Sequence, residues 1–214
     1  MNKCKIVLLG DSNTGKSSLL YYLINNKFLT HSLPTIGISY NIKLVKKDNK
    51  ELNLEIWDTA GTEIYRSLSR LYYREADYIL LCFDISNKDT FFNLEGWLFN
   101  IKENCSNEYT IIYLLGNKSD LEYDIEYTRI NDFCKKHNIV FIETSSKNKN
   151  INNLLDLIIN DYDKYIKPHK LLKKNNYITF TNTKNDSNDS NDFNNSNDSN
   201  NEESKKNNRY CRIF

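Results

Sequence analysis

The chain has 214 residues, a length for one domain with an appendage, and its 29 Lys and Arg against 28 Asp and Glu leave a formal charge of +1. That balance lacks the basic field of a dedicated nucleic-acid binder, so no nucleic-acid partner is expected. Five cysteines, at 4, 82, 105, 134 and 211, have neither metal-ligand spacing nor the density of a disulfide scaffold, and no long apolar run or signal-peptide pattern occurs, which predicts a protein of the cytosol.

Short apolar runs alternate with helical patterns along the chain. Strands are predicted at Lys5–Leu9, Leu52–Trp57, Tyr78–Phe83, Ile111–Leu115 and Ile139–Ile142. Between them fall helices at Lys16–Ile24, roughly Leu68–Arg74, Thr90–Glu103, Tyr127–Lys136 and Asn150–Tyr165. Such alternation means a parallel sheet covered on both faces. Ser39–Lys46 alternates and joins Leu52–Trp57 through a polar turn, which adds one antiparallel edge strand. The expected fold is therefore α/β, a six-stranded mixed sheet flanked by about five helices. Composition changes near residue 170: residues 185–201 are all Asn, Asp or Ser except Phe193, too polar to offset chain entropy. The expected division is a folded domain over residues 1–167 and a disordered tail over 168–214.

Four motifs sit at predicted strand carboxyl ends, where open α/β sheets bind ligands. Gly10-Asp11-Ser12-Asn13-Thr14-Gly15-Lys16-Ser17 follows the first strand and opens a helix, the context a phosphate loop needs. Its backbone N–H groups and Lys16 suit phosphates, and the Ser17 hydroxyl suits Mg²⁺. Asp58 in Trp57-Asp58-Thr59-Ala60-Gly61 can hold the metal shell, and Gly61 can offer its N–H to a γ-phosphate. In Gly116-Asn117-Lys118-Ser119-Asp120, the carboxylate can accept from N1–H and the exocyclic amine of guanine, a donor pair adenine lacks. Glu143-Thr144-Ser145-Ser146-Lys147 brings small polar groups to where the guanine O6 would lie. The chain has six glycines, and 10, 15, 61 and 116 belong to these motifs, with Gly37 just upstream.

On these residues the chain resembles a Rab-type small GTPase of the Ras superfamily over about residues 3–167. Pro34-Thr35-Ile36-Gly37-Ile38-Ser39-Tyr40 is similar to the first switch, whose Thr completes the Mg²⁺ shell. Leu54–Gly61 with Tyr65-Arg66-Ser67-Leu68 and Tyr72-Tyr73-Arg74 is similar to the interswitch and second switch. The resemblance implies nucleotide contacts from Ser12, Asn13, Thr14, Gly15, Lys16, Ser17, Ser18, Thr35 and Gly61 on the phosphate side. On the base side it implies Phe28, Asn117, Lys118, Asp120, Ser145, Ser146 and Lys147, although by residue type alone Phe28 reads as a core side chain. Mg²⁺ would be held by Ser17, Thr35 and Asp58, and Lys16, Thr35, Gly61 and Thr62 would serve hydrolysis of GTP to GDP.

Thr62 replaces the Gln that orients the attacking water in most of the family, so slow hydrolysis is expected, with a barely hydrolysing GTP-binding module or a Rap-like signalling GTPase as alternatives. The resemblance further implies an exchange factor, a GTPase-activating protein, a GDP dissociation inhibitor or escort protein, and effectors, around a monomer that regulates vesicle trafficking. Cys211-Arg212-Ile213-Phe214 fits a prenylation signal favouring geranylgeranyl, with basic residues nearby to support a membrane anchor. That anchor would put the protein on the cytoplasmic face of an intracellular membrane, with a cytosolic pool.

Overall fold

A computed structural model describes residues 2–29, 34–47, 50–60, 73–148 and 151–172. Strands β1 (Asn2–Leu9), β2 (Ile38–Lys47), β3 (Lys50–Thr59), β4 (Tyr78–Asp84), β5 (Ile111–Asn117) and β6 (Val140–Thr144) form one sheet in the order β2-β3-β1-β4-β5-β6. All neighbours run parallel except β2 and β3, which pair antiparallel with Ile42 opposite Glu55. The six-stranded mixed sheet and its antiparallel edge match the expectation.

Both faces of the sheet are covered, which explains why every residue of β4 is buried. One core joins Ile6, Leu8, Leu54, Tyr78 and Leu80 to α1 (Lys16–Asn25) and α5 (Asn152–Asp161). The other joins Val7, Leu9, Ile79 and Leu81 to α3 (Leu94–Asn104) and α4 (Tyr127–His137).

The predicted helix over Thr90–Glu103 is broken in two. A short α2 (Lys88–Phe92), capped by Asn87 accepting from the Asp89 N–H at 3.1 Å, stops at Asn93 before α3 begins. Thr90 is the physical cause on one side, since its hydroxyl donates to the Asn87 carbonyl at 2.7 Å and accepts the Asp84 N–H at 3.0 Å, tying α2 to the end of β4. Counting α2 and α3 as one broken helix, the described residues hold four, against about five expected; most of the predicted helix over 68–74 lies outside them.

Helix ends reflect the glycine-poor composition. Asn26 closes α1 at φ 53° and Asn138 closes α4 at φ 54°, both left-handed positions where glycine is commonest and Asn is the usual substitute. After α5 the chain passes through a π-helical turn, Tyr162–Ile166, and stays helical to Leu172. Lys170 there reaches back to the buried Asp77 carboxylate at 2.5 Å, so the helix packs on the domain past the expected boundary at residue 167.

Candidate functional site

The carboxyl ends of β1, β3, β5 and β6 converge, and with them the four motifs. The phosphate loop turns on Gly10 (φ 133°), Asn13 (φ 62°) and Gly15 (φ 85°). A side chain at Gly10 would strike the Cys82 carbonyl and one at Gly15 the Asn117 amide, so the loop's tight path requires both glycines. Lys16 is buried at the start of α1, its ammonium donating to the Gly10 carbonyl at 2.9 Å and the Asp11 carbonyl at 2.6 Å. Burial pulls its pKa below the ordinary lysine range. Thr14 is fully buried, while Ser12 and Asn13 are exposed.

Next to the loop, three side chains predicted for the metal meet. Ser17 Oγ donates to Asp58 Oδ2 at 2.5 Å and lies 2.6 Å from Thr35 Oγ1. Asp58 is 2% exposed, and among the described residues its Oδ1 has no hydrogen-bond partner. Burial raises its carboxyl pKa, opposed by Ser17 and by the charge of Lys16. Two hydroxyls and a buried carboxylate with an unsatisfied oxygen form a hard oxygen donor set, the kind Mg²⁺ takes; the residues fit that ion.

On the base side the groups are bonded to one another. Asn117 donates to the Thr14 carbonyl at 2.7 Å and accepts from Thr144 Oγ1 at 3.1 Å, linking β5, β6 and the phosphate loop. Asp120 Oδ1 accepts from Ser145 Oγ at 2.6 Å, and Lys147 Nζ stands 3.5 Å from Oδ2. Burial pushes the Asp120 carboxyl upward, but the bonds from Ser145 and the chain backbone and the charge of Lys147 outweigh it and hold the pKa below the ordinary range. A cavity of about 210 Å³ opens here, lined by Ser18, Phe28, Asn117, Lys118, Asp120 and Lys147 among others. Phe28 is 41% exposed, with the Lys147 ammonium 5.8 Å from its ring centroid, so it is a wall of this cavity and not a core side chain. Ser146 is buried at the cavity floor.

Comparison with known proteins decides the family. The Ras family profile matches residues 5–164. Over 162 residues the chain is 42% identical to the Ras-related protein Rab-11B of Dictyostelium discoideum, covering 72% of this chain and 73% of that protein. The chain belongs to the Ras family. Over 144 residues it is also 40% identical to the Ras-related protein YPTC6 of Chlamydomonas reinhardtii, 66% of either chain. It is a Rab-type small GTPase of the Ras superfamily, an enzyme that hydrolyses GTP to GDP and phosphate.

In this Rab-type GTPase the predicted phosphate-side and base-side residues that the structure describes, from Ser12 to Lys147, come together at one end of the sheet. Gly61 and Thr62, the second-switch residues Tyr65 to Tyr72, and Cys211 lie outside the described residues. Two features go beyond the motifs. Asp84, ending β4, holds Lys118 Nζ at 2.5 Å and accepts the Ser86 N–H at 2.9 Å, fixing the base-side loop; an acid closing the apolar run Tyr78–Phe83 is the signal the sequence offers for it. Asp11 is bonded through its carboxylate to Asn93 and Trp97, which no local pattern indicates.

Proposed function

We propose that this GTPase is a guanine-nucleotide-dependent switch with slow intrinsic hydrolysis that regulates vesicle trafficking at intracellular membranes. The observation that carries the reading is the meeting of Ser17, Thr35 and Asp58 beside Lys16, one loop away from an Asp120 already oriented by Ser145. Phosphates would lie on the N–H groups of residues 12–18, with Lys16 exchanging loop carbonyls for phosphate oxygens. Bound Mg²⁺, held by Ser17, Thr35 and Asp58, would neutralise charge on the β- and γ-phosphates. Thr35 and Gly61 report the γ-phosphate by ordering both switches for effectors, and Asp120 with Ser145, Ser146 and Lys147 selects guanine.

Exchange factor, GTPase-activating protein and GDP dissociation inhibitor or escort protein follow from the Rab type, as do a monomeric state and a geranylgeranyl anchor at Cys211, on a tail that follows the helix ending at Leu172. None of the helices among the described residues is long and apolar enough to cross a membrane, and the proposed attachment is through that lipid. Thr62 supports a second reading, a GTP-binding module that hardly turns over. Single-turnover hydrolysis separates them: the parent protein should hydrolyse slowly and be accelerated by a Rab-directed activator, and Thr62→Gln should raise the intrinsic rate by an amount equivalent to ~1–3 kcal/mol. Absence of acceleration at any activator concentration would leave the binding module standing.

A further inference from the structure

The phosphate loop is held from outside by a helix that contributes nothing to the nucleotide cavity. Asp11 Oδ2 accepts from Asn93 Nδ2 at 2.6 Å, and Oδ1 accepts from Trp97 Nε1 at 2.8 Å. Its own carbonyl meanwhile accepts from Lys16 Nζ at 2.6 Å and from Thr14 Oγ1 at 2.9 Å. A carboxylate pinned at both oxygens leaves its residue little freedom, and charge-assisted bonds of this kind are the stronger class. The direction of the Asp11 peptide, and with it the entry of the loop, is thus set by α3.

The helix can bear that duty because it is itself immobilised. Leu94, Trp97, Leu98 and Ile101 are buried against the sheet, so the Trp97 indole is 3% exposed and its N–H has a defined aim. Asn93 stands at the break between α2 and α3, where the interruption frees its amide to face the loop. A continuous helix over the predicted span would have no such interruption. We infer that Asn93 and Trp97 are positioning residues for the nucleotide site, acting through Asp11 to hold the phosphate loop in its binding shape and so to set how slowly nucleotide leaves. This deepens the guanine-nucleotide reading and rests on it.

The experiment uses the full chain loaded with a fluorescent GDP analogue in excess Mg²⁺, with release followed on adding unlabelled GDP. Asn93→Ala, at an exposed site, and Trp97→Phe, which retains most of the ring volume, should each speed release roughly ten- to a hundredfold, the range for a lost hydrogen bond to a charged group. Asp11→Ala should speed it at least as much. The deciding measurement is the combination: in the Asp11→Ala background, adding Trp97→Phe or Asn93→Ala should change release less than about twofold, because side chains that act through Asp11 have nothing left to act on. The Trp97 indole N–H resonance, assigned by its loss in Trp97→Phe, should also move in Asp11→Ala. Undiminished effects in the Asp11→Ala background would overturn the proposal, as would unchanged release in the single variants. If Trp97→Phe does not fold, the Asn93→Ala pair alone decides the matter. A parent protein that takes up no GDP would instead sink the guanine-nucleotide reading, a result distinct from bound GDP with unaltered release.

Discussion

Asp58 on β3 and Asp120 just beyond β5 stand at the same end of the sheet, and their surroundings treat the same carboxylate in opposite ways. Asp58 is almost wholly buried, has among the described residues one oxygen without a partner, and titrates above the ordinary range, because burial outweighs the bond from Ser17. Asp120 is partly open to the cavity, has a partner on each oxygen and titrates below it. The charge of Lys16 acts on Asp58, but among the described residues no cation is bonded to it, and a buried carboxylate in that position is costly until a further positive charge is added. The oriented, ionised carboxylate at Asp120 is ready for a neutral donor pair. On the proposed reading one aspartate suits a metal ion and the other a base, and their difference in burial is what suits them to those roles.

The largest test of that contrast is Asp120→Asn. Losing a charged acceptor for two donors should weaken GDP binding by ~10²–10⁴-fold, while xanthosine diphosphate, with a carbonyl where guanine has its amine, should bind more tightly than it does to the parent. Competition against a fluorescent nucleotide measures both. Equal losses for the two bases would mean that Asp120 supports the loop and does not read the base.

Asp58→Asn comes next and should act with opposite signs in two conditions. With Mg²⁺ present, nucleotide retention should require at least ~10–100-fold more metal, since losing even an outer carboxylate of a metal site costs that much. With the metal chelated, the variant should melt no lower than the parent, since a buried charge whose burial cost exceeds what Ser17 and Lys16 offset has been removed while Ser17 keeps an oxygen to donate to. Scanning calorimetry of the GDP-bound protein with and without chelator gives both numbers, and a lower melting point in both would contradict the account of Asp58.

Both aspartates are legible in the amino-acid sequence because each lies within a few residues of a motif at a strand end, where backbone direction and side-chain chemistry are both readable. The sheet is legible for a similar reason: the all-apolar run Tyr78–Phe83 admits no exposed face, and β2 alternates, although its apolar members Tyr40, Ile42 and Leu44 are the exposed ones. Contacts between segments far apart in the chain are not legible in this way. Asn93 reaches Asp11 across 82 residues and Lys118 reaches Asp84 across 34, separations for which periodicity carries no signal. The helix break at Asn93 belongs with them, since its causes are the tertiary bonds of Thr90 and Asn93 and not a local breaker. The abundance of Asn reads in the sequence as compositional bias, yet Asn13, Asn26 and Asn138 all occupy left-handed positions that many proteins give to glycine.

Asp77, at the opposite end of the sheet, supplies the intermediate case and the smallest effect. It is as buried as Asp58 but has an ammonium bonded to it: Lys170 Nζ lies at 2.5 Å, and the Lys5 N–H donates at 2.7 Å. Burial still holds its pKa above the ordinary range, with Lys170 the main opposing influence. An acid whose folded pKa is raised binds its proton more tightly in the native state. Its contribution to stability is therefore full below the unfolded value, ~3.9, and is lost as pH rises through the folded value. Lys170→Ala removes the opposition and pushes the folded pKa higher still, so the deficit relative to the parent should widen from about pH 4.5 to pH 7. At neutral pH the loss should be about 1–2 kcal/mol, less than for a fully enclosed pair because the Lys170 side chain is 42% exposed to screening solvent. Melting curves of the GDP-bound parent and variant at both pH values measure it. If the deficit is the same at both, the helix end beyond residue 167 is held by packing, and Asp77 does not belong in the series with Asp58; if it widens as expected, a directly bonded ammonium is what sets Asp77 apart from Asp58, on which Lys16 acts through its charge while donating to the Gly10 and Asp11 carbonyls.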